Sequence, residues 1–410
     1  MDAVIDVLKE RGFVQQMTEE SALRRYLAGS QPHCYVGFDP TAASLHAGSL
    51  VPIMALMHMQ RHGVRPIAIL GGGTAMIGDP SGKTEMRQML DGGAIGANTS
   101  GVAAQLERYL DGAGGRALVV NNAEWLLELR YVDFLREIGR HFSVNRMLAA
   151  EAYRLRLETG LSFLEFNYQI LQAYDFLVLF DRYGCRLQMG GDDQWGNCLA
   201  GMELIRRVRG QEAHVLTFPL LTTATGAKMG KTEQGALWLD PDRTSPYEFY
   251  QYWVNVDDRD VERFLGLFTF LPMAEVRRLG QLEGADRRAA KQRLAFEATR
   301  ITHGDAAARG AEAAAQALFG GGAAAAGEMP ETVLAAAELE RGLTMPELLV
   351  RAGLARSRSE GRRLIEQGGV RAGDATWDDV ERAVEAALFG AGRELLLRVG
   401  KKRYHRVRMQ

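Results

Sequence analysis

Short hydrophobic runs recur along the first half of the chain and are separated by longer stretches with helical periodicity. Such runs are typical of strands that are buried on both faces of a sheet. Strands that alternate with helices predict βαβ units and a parallel sheet, with ligands beyond the carboxyl ends of the strands. The predicted strands cover residues 33–38, 66–70, 116–120, 185–189 and 214–218.

The spacing of hydrophobic residues predicts helices in the segments before, between and after these strands. Residues 4–27 read as two entry helices, and residues 161–180 as one strongly helical stretch. From 245 to about 319 the pattern is helical throughout. Residues 306–327 have almost no large side chains, so we expect this stretch to bury no core and to end as a linker.

Periodicity returns in the C-terminal stretch, residues 343–410. Residues 345–353 and 357–370 predict two short helices and a Gly-Gly turn into a strand, and residues 395–408 predict a basic hairpin. This stretch therefore predicts a small α+β module.

Composition limits the class of protein. A chain of 410 residues exceeds one ordinary core, and its 47% hydrophobic and 24% charged content is that of a globular protein with two or three domains. No apolar run is long enough to span a membrane, and the start lacks a signal-peptide pattern, so we expect a cytoplasmic protein without a membrane partner. Cys34, Cys185 and Cys198 lack metal-ligand spacing and predict buried thiols.

Charge is distributed unevenly along the chain. Residues 351–410 contain 14 Lys or Arg against 8 Asp or Glu, whereas the whole chain has a net charge of −2. A basic module on an acidic body predicts a polyanionic partner for the C-terminal part. An ordinary solvated face is the alternative.

Residues 33–49 join a predicted strand to a helix start. Ser44 is the predicted N-cap, and free N–H groups at such a start favour phosphate. Thr41 and His46 add hydrogen-bond donors, and Gly48 leaves room for a flat base beside the backbone. The alternative is an ordinary strand–helix turn with a packed histidine.

Three polar residues share one face of the predicted helix 161–180. Tyr168, Gln172 and Asp175 are spaced i, i+4 and i+7, which places them on the same side. Three hydrogen-bonding groups on one face of an otherwise apolar helix predict a polar pocket.

The Gly-Lys-Thr ending at Thr84 is not a phosphate-binding P-loop, because the required earlier glycine would fall on Ile77.

The helix start at His46–Gly48, followed late in the chain by the polar loop Lys228–Thr232, resembles the paired signatures of class I aminoacyl-tRNA synthetases. Four further segments make nearly the whole chain similar to the bacterial type of tyrosyl-tRNA synthetase. These segments are Gly78–Gly82, Asn121–Asn122, Tyr168–Asp175 and Gln188–Asn197.

The resemblance implies roles for individual residues. The implied catalytic residues are Thr41, His46, Lys228, Lys231 and Thr232. The implied tyrosine-binding residues are Tyr35, Asp79, Tyr168, Gln172, Asp175 and Gln194. The implied ATP-binding residues are Asp39, His46, Gly48, Ser49, Gly191, Asp193 and Lys231. Candidate RNA contacts are Arg358, Arg362, Arg363, Lys401, Lys402 and Arg403.

The implied reaction activates L-tyrosine with ATP and then transfers it to tRNA(Tyr). Tyr35 and Asp175 would bracket the phenol hydroxyl, while Asp79, Tyr168 and Gln172 would hold the ammonium group. Mg²⁺ would accompany ATP, because no carboxylate cluster predicts a dedicated protein metal site. The resemblance also implies a homodimer with its interface around residues 142–163.

The resemblance implies an α/β fold: a Rossmann-like parallel-sheet catalytic domain, an all-helical domain, and a small C-terminal α+β domain that resembles an RNA-binding module of a ribosomal small-subunit protein. The expected bounds are 1–244 for the catalytic domain, 245–319 for the helical domain, 320–342 for a Gly/Ala-rich linker and 343–410 for the RNA-binding domain.

Two positions depart from the family pattern. Ser49 stands where the pattern ends in a second histidine, and Pro52 follows within the early helix, where it removes an N–H bond unless it lies in the first turn. Both concern the ATP ribose side. Two rival functions stay open from sequence: a tryptophanyl relative, and an RNA-binding protein with an inactive synthetase fold.

Overall fold

The chain divides into two compact units, Met1–Thr244 with Trp253–Thr302, and Ser245–Tyr252 with His303–Gln410. The computed structural model describes residues 3–81, 91–149, 153, 156–158, 160–224, 226, 229–232, 235–319, 331–373, 375–390, 392–400 and 403–410. None of the described helices is long and apolar enough to cross a membrane. The division of the chain into domains stays a prediction.

The first unit is built on the sheet that the hydrophobic runs predict. Its strands lie in the order β1-β6-β5-β2-β3-β4, with β1 antiparallel to β6 and the other neighbours parallel. All five predicted strands are therefore confirmed, with small shifts of their ends. The bounds are β1 Gln16–Met17, β2 His33–Phe38, β3 Arg65–Leu70, β4 Leu118–Asn121, β5 Leu187–Gly191 and β6 His214–Phe218. Two short strands, β7 Lys231–Thr232 and β8 Gly235–Ala236, form a separate hairpin.

The strand order reverses between β2 and β5, which creates a crevice. These strands pair only through Cys34 with Leu187 and Tyr35 with Gln188, so their carboxyl-terminal halves are not hydrogen-bonded to each other. In open α/β sheets, ligands bind at such a switch point. The sheet therefore positions a site beyond Tyr35 and Gln188.

Helices surround this sheet, and both entry helices are confirmed. The segment predicted as one helix over 161–180 consists of two, because a capping box formed by Ser162 and Glu165 starts a first short helix. The helices up to residue 209 are α1 Val4–Glu10, α2 Glu20–Leu27, α3 Leu50–Arg61, α4 Gly92–Tyr109, α5 Ala123–Leu126, α6 Tyr131–Glu137, α7 Val144–Leu148, α8 Phe163–Phe166, α9 Tyr168–Tyr183 and α10 Trp195–Arg209.

A hydrophobic cluster joins α9 and α10 to the sheet. Tyr35, Phe176 and Leu179 are almost fully buried in it, and the rings of Tyr35 and Phe176 lie 5.2 Å apart. At roughly 1.5–3 kcal/mol per buried large side chain, this cluster holds the polar face of α9 firmly over β2.

Residues 245–319 are helical as predicted. Their α-helices are α11 Pro246–Val254, α12 Val261–Phe268, α13 Met273–Gly280, α14 Arg287–His303 and α15 Asp305–Phe319. The expectation that 306–327 buries no core is wrong for its helical part, because Ala308, Ala311, Ala314 and Ala315 are buried on one side of α15. Alanine favours helix and lets neighbouring elements approach closely.

The second unit contains a five-stranded sheet in the order β11-β10-β12-β13-β9. The predicted basic hairpin is confirmed as β12 and β13, and the two predicted short helices are α17 and α18. The bounds are β9 Glu331–Leu334, α16 Ala336–Glu340, α17 Met345–Arg351, α18 Arg358–Glu366, β10 Val370–Ala372, β11 Ala375–Thr376, β12 Glu394–Val399 and β13 Arg403–Met409.

The expected linker over 320–342 needs correction at its end. Glu331–Leu334 pairs in parallel with β13, and Leu334 is fully buried in the core of the second unit. The strand supplies the edge that β13 would otherwise expose, so the residues from 331 onward belong to the sheet. Residues 320–330 lie outside the described part of the chain.

Candidate active site

A cavity of about 400 Å³ opens at the switch point between β2 and β5. It collects most of the predicted site residues, although they are far apart in sequence. The predicted residues that line it are Tyr35, Asp39, Thr41, His46, Gly48, Ser49, Asp79, Tyr168, Gln172, Asp175, Gly191, Asp193 and Gln194.

Asp175 presents a buried carboxylate on the α9 face of this cavity. One oxygen accepts a hydrogen bond from Trp125 Nε1 at 2.8 Å and the other from Asn122 Nδ2 at 2.9 Å. Tyr35 lines the same cavity, and its buried hydroxyl has no hydrogen-bond partner within the described part of the chain. The pair can therefore offer an acceptor and a donor to a ligand hydroxyl.

The pKa of Asp175 is raised from its ordinary value of 3.8 to about 7. Burial is the main cause, because removing the carboxylate from water disfavours its charged form. The hydrogen bonds from Asn122 and Trp125 act in the opposite direction, and the negative charge of Asp39 adds to the rise. Perturbed carboxyl groups in a cleft are a mark of functional sites.

A second carboxylate, Asp39, follows β2 directly. It accepts hydrogen bonds from Thr74 Oγ1 and from the Tyr168 hydroxyl, each at 3.1 Å. Asn122 Nδ2 also donates to Thr74 Oγ1 at 3.1 Å. A chain of bonds therefore connects Asp39 through Thr74 and Asn122 to Asp175, and it holds Tyr168 in place at the same time.

Asp79 lies at a further corner of the cavity. Its oxygens accept from the Ser81 amide at 2.9 Å and from Gln194 Nε2 at 2.7 Å. Asn197, which is buried, donates to the amide oxygens of Gln194 and Gln172 at 3.2 and 3.3 Å. Asp79, Gln172 and Gln194 thus form one hydrogen-bonded polar group that lines the cavity.

Asp193 and Gly191 follow β5. A methyl group on residue 191 would come within 2.6 Å of the Asp193 carboxylate, so a larger residue there would displace that side chain. Burial, with the nearby charge of Asp79, raises the pKa of Asp193. The preceding Asp192 accepts from Thr217 Oγ1 at 2.8 Å and from Gln16 Nε2 at 2.7 Å, which anchors the turn.

The cavity is strongly acidic. Asp39, Asp79, Asp175 and Asp193 all line it, and none of the described residues around it is Lys or Arg. Such a cavity attracts an ammonium group. A triphosphate would need added positive charge. The lysine loop and a metal ion carried by the nucleotide would supply it.

His46, not the predicted Ser44, caps the helix start. Its Nδ1 accepts a hydrogen bond from the Gly48 amide at 3.0 Å, while the Ser44 hydroxyl donates to the Leu45 carbonyl. A nitrogen that accepts carries no proton, so the neutral imidazole is protonated on Nε2 and can donate from there. A Cβ on residue 48 would lie 2.8 Å from the imidazole, so a larger residue there would displace the ring from this orientation.

The two departures from the family pattern both lie near this start. Ala47–Ser49 forms one short 3₁₀ turn, and α3 begins at Leu50. Pro52 is therefore in the first turn of α3, where helix N–H groups have no intrahelical partner, so it removes no helix bond. Pro52 and Ser49 both line the cavity.

The lysine loop is only partly described. Lys228 lies outside the described residues, and Lys231 and Thr232 are described by their backbone, which pairs with Gly235–Ala236 in a small hairpin. Met229 is buried and lines the cavity, and a Cβ on Gly230 would lie 3.0 Å from the Gly48 amide nitrogen. The loop therefore lies directly on the His46–Gly48 segment.

The candidate RNA-binding arginines differ in their contacts. Arg358 forms an ion pair with Glu347 at 2.9 Å, Arg362 pairs with Glu381, and Arg403 donates to the Leu354 carbonyl at 3.0 Å. Arg363 is exposed and has no ion pair among the described residues. Lys401 and Lys402 lie outside the described part of the chain.

Several residues that carry the site were not predicted as part of it, Thr74 and Asn122 among them. Trp125 and Asn197 act through other side chains, and no local pattern reveals such contacts. Gln188 could have been found, because it is a polar residue within the predicted buried strand 185–189. In the structure it is the register partner of Tyr35. Its buried Oε1 has no hydrogen-bond partner within the described chain.

Comparisons with known proteins identify the family of this chain. The family "tRNA synthetases class I (W and Y)" matches residues 28–320, and the family "Tyrosine--tRNA ligase SYY-like C-terminal domain" matches residues 323–407. The chain is 54% identical to the tyrosine–tRNA ligase of Desulfosudis oleivorans over 99% of its own length and 98% of that protein. It is 52% identical to the tyrosine–tRNA ligase of Caldanaerobacter subterraneus subsp. tengcongensis, with 99% of both chains covered.

A solved structure with the same fold is the C-terminally truncated mitochondrial tyrosyl-tRNA synthetase of Aspergillus nidulans. It matches with a TM-score of 0.70 and 31% identity, over 78% of this chain and 95% of that one. Family match, identity over the full length and fold all agree. The chain belongs to the class I aminoacyl-tRNA synthetases and, among them, to the bacterial-type tyrosyl-tRNA synthetase family.

Proposed function

We propose that this protein is a tyrosine–tRNA ligase, which activates L-tyrosine with ATP to tyrosyl-adenylate, releases pyrophosphate and transfers tyrosine to the 3′ end of tRNA(Tyr). The observation that carries the proposal is the buried pair of Asp175 and Tyr35 in one cavity. A tyrosine hydroxyl placed between them would donate to Asp175 and accept from Tyr35. Phenylalanine or an indole would leave these groups without that partner.

The acidic cavity suits the ammonium group of an amino acid. Asp79 is held by Gln194, and Tyr168 is held by Asp39, so polar atoms are already oriented beside a substrate amino group. We assign Asp79, Tyr168 and Gln172 to the ammonium group, and Gln194 to the vicinity of the substrate carboxylate. Gly48, Ser49, Gly191 and Asp193 then line the path of the nucleotide.

The chemical step needs no nucleophile from the protein, since the tyrosine carboxylate attacks the α-phosphate itself. Catalysis then consists of positioning and of stabilising the negative charge that moves to pyrophosphate. Thr41 and His46 would donate to that charge, and Lys228, Lys231 and Thr232 would approach it from the loop. Mg²⁺ bound to ATP would neutralise part of it. The described residues contain no group of three or more His, Cys, Asp or Glu that could hold a metal.

The second unit is proposed to bind tRNA, because residues 351–410 carry an excess of positive charge. The active form is proposed to be a homodimer in the cytoplasm. Support comes from seven exposed large hydrophobic side chains among the described residues of one stretch of the first unit, which would need a partner surface to be buried. They are Leu127, Tyr131, Val132, Leu135, Val144, Leu157 and Phe163.

Amino-acid-dependent exchange of pyrophosphate into ATP tests the proposal, with tyrosine, tryptophan and phenylalanine as substrates. We expect exchange with tyrosine, followed by charging of tRNA(Tyr). Exchange with tryptophan would support the tryptophanyl alternative. Tight tRNA binding without any exchange would support the inactive RNA-binding alternative.

A further inference from the structure

Trp238 lies directly opposite His46 in an isolated antiparallel bridge. The Ala47 amide donates to the Leu237 carbonyl at 2.8 Å, and the Leu239 amide donates to the Leu45 carbonyl at 2.9 Å. Because the flanking residues make the hydrogen bonds, His46 and Trp238 form a non-hydrogen-bonded pair. In such a pair the side chains lie on the same face and close together.

The two rings meet edge to face. Their centroids are 6.5 Å apart and their planes are inclined by 67°, an arrangement that the quadrupole of the indole ring favours. Trp238 is itself held by Arg243, whose Cζ lies 3.6 Å from the indole centroid. A guanidinium over an indole face is attracted by the same quadrupole. Arg243, Trp238 and His46 therefore lie in contact one after another, with Arg243 on the face of the indole ring and His46 in an edge-to-face contact with it.

His46 needs such support because its side chain is exposed. An exposed side chain keeps several rotamers unless neighbours exclude them. The bond from the Gly48 amide to Nδ1 defines one orientation, in which Nε2 carries the proton. Trp238 stands beside the ring and removes space for other orientations.

We propose that Trp238, supported by Arg243, is a positioning residue that holds the His46 imidazole in the orientation with Nδ1 on the Gly48 amide and the proton on Nε2. This inference rests on the proposed function, in which His46 donates to the phosphate charge during activation. Trp238 also lies shortly after the lysine loop in the chain. The amide of its neighbour Leu237 donates a hydrogen bond to the Gly230 carbonyl of that loop at 2.8 Å. The bridge therefore connects the end of the loop to the His46 segment.

The test is a double-mutant cycle on the rate of tyrosyl-adenylate formation in single turnover. Trp238→Leu is expected to slow this step about 10-fold, within the ~10²-fold that a misplacement of 1 Å can cost. The same change made in a His46→Ala protein is expected to have almost no additional effect, because there is no imidazole left to position. The dissociation constant for tyrosine should be the same in all four proteins.

Further variants keep the result interpretable if Trp238→Leu lowers stability. Trp238→Phe retains an aromatic wall and should restore most of the rate, and Arg243→Met should remove the guanidinium from the indole face while leaving Trp238 in place. Arg309→Met is the matched control, since it removes another exposed arginine, which forms an ion pair only with Asp305 among the described residues.

Three results would overturn the inference: an equal slowing by Trp238→Leu with and without His46, a parallel loss of tyrosine affinity, or wild-type rates in both Trp238→Leu and Arg243→Met. A wild-type protein that shows no tyrosine-dependent exchange would instead contradict the proposed function. The two failures are therefore distinguishable.

Discussion

Gly230 of the lysine loop lies against Gly48 of the first helix start, so closely that a Cβ on residue 230 would be 3.0 Å from the Gly48 amide nitrogen. Gly230 also has a φ of +75°, a conformation that residues with a side chain rarely adopt. Two segments almost two hundred residues apart in sequence thus meet through glycine backbones. The contact lets the loop lie on the segment that contains His46.

We expect Gly230→Ala to slow tyrosyl-adenylate formation without changing tyrosine affinity. The added methyl group would push the loop away from Gly48, and the left-handed conformation would add a strain of about 1–2 kcal/mol. Gly226→Ala is the control, since Gly226 has a φ of +84° but open space around a Cβ. Equal slowing by both variants would mean that backbone strain, rather than contact with Gly48, matters.

Much of the fold follows from local pattern. The run from Cys34 to Phe38 predicted β2 because a short apolar segment followed by Asp-Pro has few other structures available. Tyr168, Gln172 and Asp175 face one cavity because helical spacing determines which side chains lie on the same side. Both inferences depend only on geometry within one element.

Other features depend on contacts between elements and could not be read locally. Imidazole is an uncommon helix cap, so Ser44 was the natural choice, and only the bond from the Gly48 amide identifies His46. The burial of Ala308 and Ala311 depends on a neighbouring surface that composition does not show. The same holds for Asn197, which joins Gln172 to Gln194.

We expect Phe163→Asp to shift the proposed homodimer towards monomers in sedimentation. Phe163 is 71% exposed within the stretch of exposed hydrophobic side chains, and a two-fold contact would bring two new carboxylates together in an apolar surface. Val333→Asp changes an exposed hydrophobic residue in the second unit and should leave the association unchanged. An unaltered dimer in Phe163→Asp would place the interface elsewhere.

We expect Arg363→Ala to weaken tRNA binding more than Arg358→Ala. Arg363 has no ion pair among the described residues, whereas Arg358 is already partly neutralised by Glu347. Loss of one phosphate contact should reduce the slope of log K against log salt by about 0.7–0.9. Filter binding at several salt concentrations measures this, and pyrophosphate exchange should be unaffected. Equal effects of the two variants would mean that ion pairing with Glu347 does not determine how strongly an arginine contributes to tRNA binding.

The raised pKa of Asp175 predicts how the stability of the ligand-free protein changes with pH. Burial raises this pKa to about 7, so between about pH 4 and pH 7 the folded protein holds a proton that the unfolded chain has lost. This contribution to stability is complete below pH 4 and is lost as the pH rises through 7; its full size is on the order of 4 kcal/mol.

Asp175→Asn removes this titration. We therefore expect the Tm of the variant, relative to wild type, to rise between pH 5 and pH 8. Asp181→Asn, on the exposed side of the same helix and paired with Arg209, should keep a nearly constant difference from wild type over that range. A constant Tm difference for Asp175→Asn would mean that Asp175 does not titrate in this window.

The last prediction concerns how the cavity distinguishes tyrosine from phenylalanine. An apolar slot cannot strongly prefer the larger of two ligands that differ by one hydroxyl, whereas buried groups that require the hydroxyl can, since phenylalanine leaves them unpaired. Tyrosyl-tRNA synthetases are the reference case for this effect, at roughly 10⁵-fold, so that magnitude is taken from the family. In this chain Asp175 and the Tyr35 hydroxyl, which has no hydrogen-bond partner among the described residues, are placed to exert it.

Tyr35→Phe removes a neutral donor and should reduce discrimination by about 0.5–1.5 kcal/mol. Asp175→Asn should reduce it further above pH 7, where the Asp175 carboxylate is charged, because a bond to a charged acceptor is stronger, at about 1.5–3 kcal/mol. The measurement is kcat/KM for tyrosine and phenylalanine in pyrophosphate exchange, for wild type, both variants and Asp181→Asn as control. The ratio of kcat/KM for tyrosine to that for phenylalanine should be highest in wild type, lower in Tyr35→Phe and lowest in Asp175→Asn. Tyr35→Phe removes the weaker hydrogen-bond partner of the phenol hydroxyl, and Asp175→Asn weakens the stronger one. An unchanged ratio in both variants would show that other residues read the hydroxyl, and Gln188, the register partner of Tyr35, would be the next residue to change.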